Sequence, residues 1–310
     1  MKKCKFTSVA KIRYLLTALL ILTGVTSVYG AEFLPEKNCF LPKITILGEL
    51  KAGDSQRLER AFSGIADYSR NSTECRKSGE KIWRINVWLH SNGGDVDVAL
   101  DMGRIIRREK GHAIVPANSK CFSSCVFLLA AGIRRISYGD IGIHRPYFSA
   151  LSHAEDVSVV RAKREAINKR IRAYFDEMDT PQGLLDLMLS IPPGEIKILT
   201  ETELVSFRLN GVDPTHDEME TAKSAYQWNT TSAEYRRRSA RSDAICPKIS
   251  IMDDESHEAR GRRTLCMYSI LLNITEQEYN KRVDKFNAVC KSNNREEKLQ
   301  CLRDIVTLGK

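Results

Sequence analysis

The sequence predicts an α/β fold with a largely parallel sheet and flanking helices, followed by a small helical C-terminal appendage. Between residues 43 and about 213, short apolar runs alternate with stretches of helical periodicity, the pattern of strand–helix units. Beyond about residue 214 the composition turns polar and rich in charge, which marks the end of that alternation.

The elements follow in order. Lys2, Lys3, Lys5, Lys11 and Arg13 precede an apolar stretch, Tyr14 to Val25, with no acidic residue among them. The small-residue boundary Ser27-Val28-Tyr29-Gly30-Ala31 comes next, so residues 1–30 read as a secretory signal with cleavage beside Ala31. The apolar core is short of the roughly 20 residues that a membrane span needs. An uncleaved N-terminal anchor is the other reading of the same segment. An exported chain works in the periplasm or is secreted.

Ile44-Thr45-Ile46-Leu47 is the first expected strand, and a helix is expected from Ser55 to Tyr68. The strand Ile85 to Leu89, the helix Val96 to Arg108, the strand Ala113 to Val115 and the apolar helix Val126 to Ala131 follow. Arg135 to Tyr138 and Ile141 to His144 read as two short strands around a Gly139-Asp140 turn. A long basic helix, Val159 to Met178, and a second, Thr180 to Ser190, end at Pro192-Pro193-Gly194. We therefore expect one domain over 31–213, a polar linker over 214–245, and a disulfide-stapled helical region over 246–310. Two helices flanking Lys291 to Asn294 complete it.

Charge excludes one class of partner. The whole chain is formally +9; the signal contributes five positive charges, leaving about +4 on the mature chain. So mild an excess is no nucleic-acid footprint, and Arg236-Arg237-Arg238 reads as solvated surface. Of nine cysteines, Cys4 lies in the signal. Eight remain, and an even number in an exported chain points to disulfides. With no Cys-x-x-Cys and no His pair at ligand spacing, no metal is expected. No cofactor is expected.

Three segments carry candidate chemistry. His90-Ser91-Asn92-Gly93-Gly94-Asp95 leaves a strand and enters a helix; its glycines open backbone N–H groups toward a developing oxyanion. Ser123 and Ser124 stand before a buried helix, as N-caps or as a nucleophile at the helix start. Ile143-His144-Arg145-Pro146 places a histidine at a strand end, where it can serve as a general base. His90 is its rival.

Cys121 and Cys125 bracket Ser123 and are expected to pair. On a helix, residues four apart have Cβ atoms about 5–6 Å from each other. A disulfide wants roughly 3.5–4.5 Å. The bond therefore requires a non-helical turn at Cys121 to Ser123, which a nucleophilic serine at the helix start requires as well. Cys39–Cys75, Cys246–Cys266 and Cys290–Cys301 are expected as pairs between sequence neighbours.

In this order the segments resemble the Clp protease proteolytic subunit and its relatives in the Clp/crotonase superfamily. Ser91-Asn92-Gly93-Gly94, Ser123 to Gly132 and Ile143-His144-Arg145-Pro146 carry the resemblance, and Ile44 to Leu50 extends it over residues 43–213. It implies Ser123 as nucleophile, His144 as general base, and the backbone N–H groups of Gly94 and Ser124 as oxyanion donors. Asn92 stands where the cytoplasmic family has proline. The family's acid falls on Ile196, so Glu195 is the substitute, with Asp140 next in line. A Ser-His dyad and a lost activity are the alternatives.

The implied function is an exported serine hydrolase acting on peptide or protein. A catalytically inactive Clp-like binding module is the competing reading. Acyl-CoA chemistry fits an exported chain poorly, and Cys-x-x-x-Cys is a poor redox motif. No ATPase partner is expected outside the cytoplasm; the chain acts alone or as a homo-oligomer.

Overall fold

The computed structural model describes residues 30–78, 84–146, 156–192, 194–247, 257–292 and 294–309. Apart from Gly30, the expected signal lies outside the described residues. The chain forms two compact units that divide between Asp213 and Pro214. Among the described residues no helix is long and apolar enough to cross a membrane.

The first unit is a mixed α/β body around one nine-stranded sheet. Its elements are β1 (Glu32–Glu36), β2 (Lys43–Leu50), α1 (Asp54–Asn71), α2 (Thr73–Ser78), β3 (Asn86–Gly94) and α3 (Val96–Arg108). Then come β4 (His112–Val115), β5 (Lys120–Phe122), α4 (Cys125–Ala131), β6 (Arg134–Ser137) and β7 (Asp140–Ile143). Helices α5 (Val157–Glu177) and α6 (Gly183–Ser190), strand β8 (Lys197–Ile198), helix α7 (Glu201–Ser206) and strand β9 (Gly211–Val212) complete it.

Local sequence accounts for the elements. On α1, Leu58, Phe62 and Ile65 recur on one face and are buried. Asp95 caps α3 by accepting from the Val98 N–H. Alternation along β3 buries Val87, Leu89 and Ser91 on one side. Every side chain of α4 is buried, so this helix runs through the core.

The central pairings, β2–β3, β3–β4, β3–β5, β4–β6 and β5–β7, are all parallel. Antiparallel neighbours close the margins: β1 on β2, β9 on β6, β8 on β7. Strand β3 is shared by two branches, pairing with β4 through Asn86 to Trp88 and with β5 at Ser91. The two short strands around Gly139 therefore do not form a hairpin. β6 belongs to the β4 branch and β7 to the β5 branch.

Two buried polar links tie helices to one another and to this sheet. The Tyr174 hydroxyl on α5 donates to the Phe127 carbonyl of α4 at 2.7 Å. Arg135, 1% exposed, donates to the Gly132, Met178 and Arg208 carbonyls and to Asp213 Oδ2 at 3.0 Å. Burial pushes the Arg135 guanidinium down to about 10, nearby Arg107 adds to the shift, and Asp213 opposes it.

The second unit is helical: α8 (Pro214–Gln227), α9 (Ser232–Ile245), α10 (His257–Leu272), α11 (Glu276–Val289) and α12 (Arg295–Leu302), ending in a π-helical turn, Arg303–Thr307. The expected polar linker over 214–245 is thus two helices. They bury a stripe of small residues, Thr221, Ala225 and Ser242, rather than a broad apolar face. Their order comes from the Thr231 cap on the Glu234 N–H and from Glu234 pairing with Arg238. The Trp228–Tyr268 rings meet in a tilted contact and the Tyr268–Tyr279 rings edge to face, at centroid distances of 5.0 and 5.8 Å.

All four expected cysteine pairs stand at disulfide distance. Cys39–Cys75 and Cys121–Cys125 lie in the first unit, Cys246–Cys266 and Cys290–Cys301 in the second.

Candidate functional site

The fork in the sheet creates the site. The end of β3 lies beside β5, and the turns after β3, β5 and β7 open on one cavity of about 620 Å³. Ser123, Ser124, Gly93, Gly94 and His144 all line it.

The turn at the end of β3 is set by Ser91. Its hydroxyl donates to the Gly48 carbonyl and accepts from the Gly93 N–H at 3.0 Å. Gly93 (φ +91°) and Gly94 (φ +147°) occupy conformations that favour glycine. A Cβ on Gly93 would stand 2.7 Å from the Phe122 carbonyl oxygen and 2.8 Å from the Ser123 Cβ. The two turns thus touch main chain to main chain.

Ser123 follows β5 and sits in the left-handed region at φ +55°. Such a conformation is uncommon for a residue with a side chain and persists where the surroundings over-determine it. Here they do. Its N–H donates to the Gly142 carbonyl at 2.8 Å, and its carbonyl accepts from the Val126 N–H at 3.1 Å. The Cys121–Cys125 pair, with Cα atoms 5.2 Å apart, closes the turn around it, and both cysteines are fully buried. The non-helical turn that the cysteine spacing demands is therefore present.

The two serines have different surroundings. Ser124 is buried, and its hydroxyl donates to the Gly94 carbonyl at 3.0 Å. It ties the two turns together, while Ser123 is half-buried at the cavity. The exposed main chain of Gly94 faces the same space.

His144 extends from the end of β7 and is 7% exposed. Its Nδ1 lies 2.9 Å from the Arg145 carbonyl oxygen. A carbonyl only accepts, so Nδ1 is the donor in this bond, and in the neutral ring the lone pair falls on Nε2. That is the tautomer a general base requires.

The remaining candidates lie elsewhere. Glu195 is exposed and off the cavity lining, and its N–H donates to the Pro192 carbonyl at 3.0 Å. Ile196 reaches Gly142, where a Cβ would meet its Cγ2 at 2.6 Å. His90 sits within β3, and Asp140 is exposed at the start of β7; neither lines the cavity.

No local sequence pattern marks the walls. Phe127, Ile167 and Met188 give an apolar side. Glu49, Lys51 and Asp97 give a charged rim, with Lys51 on Glu49 at 3.0 Å and Asp97 on Arg170 at 3.0 Å. Ile167 and Met188 come from α5 and α6, far along the chain, so only the fold brings them in. Ser91 was readable as the turn lock, because a hydroxyl two residues before a glycine commonly bonds its N–H. Among the described residues no group of three metal-ligating side chains occurs.

No family model matches the chain, and no curated protein matches it. Among solved structures, a ClpP1 point mutant from Listeria monocytogenes is similar at a TM-score of 0.40 and 14% identity. The match covers 54% of this chain and 88% of that chain.

Proposed function

We propose that the chain is an exported serine hydrolase of Clp/crotonase-like arrangement acting on peptides, with Ser123 as nucleophile and His144 as base. The observation that carries this reading is the held conformation of Ser123. A side chain kept at φ +55° between a strand and a buried helix, on the cavity His144 also lines, is built for presentation.

His144 Nε2 takes the Ser123 proton as Oγ attacks the substrate carbonyl. Oxyanion charge then falls to the N–H groups of Gly94 and Ser124. The imidazolium returns its proton to the leaving amine, and water releases the acyl group by the same steps. Export agrees with four cysteine pairs at disulfide distance.

The test is turnover of a quenched fluorescent protein substrate by the mature chain, Ser123→Ala and His144→Ala. We expect turnover that both substitutions abolish while the proteins remain folded. Turnover that survives Ser123→Ala refutes the assignment; a stable, silent wild type favours the binding module.

A further inference from the structure

We infer that the third member of the site is a main-chain carbonyl, that of Arg145, and that Arg145 is the residue that positions it. This rests on the Ser123–His144 reading above and deepens it. The His144 Nδ1 contact to the Arg145 oxygen is 2.9 Å. What distinguishes this carbonyl from an incidental acceptor is how the peptide around it is fixed. Pro146 follows, which disfavours helical backbone at Arg145. The Arg145 N–H donates to the Ile191 carbonyl at 3.1 Å, and its side-chain Nε–H donates to the Leu189 carbonyl at 2.8 Å. Both acceptors stand at the C-terminal end of α6, where carbonyls lack helical partners and favour a cation. The helix itself is anchored by buried Leu184, Leu185 and Met188. One face of the core therefore reaches the imidazole through Arg145.

During proton transfer, Nε2 gains the Ser123 proton and Nδ1 keeps its own. The carbonyl dipole faces the imidazolium and takes no proton. This supplies the orientation a carboxylate would give, and Glu195, exposed and off the cavity, is not required for it.

The test uses the ¹⁵N-labelled mature chain, with the His144 ring nitrogens identified by His144→Ala, together with the rate of fluorophosphonate labelling. We expect the Nδ1–H tautomer in the wild type and unchanged in Glu195→Gln. Arg145→Ala should mix in the Nε2–H form and slow labelling by about 10²-fold, the scale of a small misplacement. Arg145→Lys, which keeps a cation at the end of α6, recovers part of both, and it carries the test if Arg145→Ala does not fold. An Nε2–H wild type, or a tautomer and rate that respond to Glu195→Gln and not to Arg145→Ala, overturns the inference. The tautomer is readable in an inactive protein. Labelling that fails while the tautomer behaves as stated therefore refutes the hydrolase reading alone.

A second observation stands apart from the site chemistry. Ala31, the first residue after the expected cleavage, is 1% exposed, and its N–H donates to the carboxylate of fully buried Asp54 at 3.0 Å. Asp54 also accepts from the Lys51 N–H at 2.9 Å and pairs with Arg57. The structure thus assigns Asp54 as the seat of the mature N-terminus. Cleavage before Ala31 converts its amide to an ammonium against that carboxylate, fixing the turn whose Glu49 to Ala52 stretch lines the cavity. Thermal unfolding of chains beginning at Ala31 and at Gly30 tests this. The Ala31 form should melt higher, and Asp54→Asn should erase the difference. Equal melting, a difference that persists in Asp54→Asn, or an exported form whose first residue is not Ala31 overturns the assignment.

Discussion

Replacing Gly93 with alanine tests whether the contact between the two turns holds Ser123 in place. The added Cβ would meet the Phe122 oxygen at 2.7 Å, the Ser123 Cβ at 2.8 Å and the Ser124 nitrogen at 2.9 Å. None of these is the end of a flexible side chain, so the main chain has to move. An L-residue in left-handed backbone costs about 1–2 kcal/mol, and overpacking adds about 1–3 kcal/mol. The local loss is therefore about 2–5 kcal/mol, and since every 1.4 kcal/mol is about tenfold, exchange accelerates by at least about thirtyfold. Hydrogen exchange of the β3 and β5 amides reads this directly, because local opening reports the stability of those strands. Fluorophosphonate labelling of Ser123 should fall in parallel, by about 10²-fold. Gly64→Ala is the control: nothing lies within 4 Å of its Cβ, and alanine in α1 should stabilise by about 0.5–1 kcal/mol. A Gly93→Ala protein with wild-type protection and wild-type labelling would refute the reasoning.

Asp213→Ala should destabilise the first unit by about 3–5 kcal/mol in urea denaturation, because it strips the counter-ion from buried Arg135 and from Arg107. A loss under about 1 kcal/mol, the scale of an exposed pair, would contradict the network. The Cys121→Ser/Cys125→Ser double variant should lose about 2 kcal/mol, the entropy of closing so short a loop. Its labelling should fall by more than that stability change explains. Peptide mapping without reduction should recover Cys121 joined to Cys125, and either one joined to a distant cysteine would contradict it.

Much of this was readable along the chain where the signal was local. Helix α3 keeps the expected bounds because Asp95 caps it and the Arg107-Arg108 end sits at its C-terminus. The Cys121–Cys125 spacing forced a non-helical turn, and φ +55° at Ser123 is that turn. What failed to show was non-local. β5 is three residues long, and β8 and β9 two each, too short for any alternation to register. β1 carries a glutamate at each end and a proline, a composition that an edge strand tolerates and a sequence pattern conceals. The forked pairing of β3 has no sequence mark, so the two short strands around Gly139 carry no sign that they join different branches. The 214–245 helices were hidden by their polar faces, since small residues rather than large apolar ones make their contacts. At the site, Ser123, His144 and the glycines sit together, whereas the carboxylate sought at Glu195 depended on loop geometry beyond α6 that spacing does not encode.

The most direct test of the central claim is the position of the covalent adduct. The protein is treated with a fluorophosphonate and digested, and the modified residue is found by fragmentation of the peptide spanning Lys120 to Gly132. The phosphonyl group should sit on Ser123, and both Ser123→Ala and His144→Ala should remove it. Ser124 is engaged with the Gly94 carbonyl and should remain unmodified. An adduct on Ser124, or one on Ser123 that forms equally well in His144→Ala, would contradict the account.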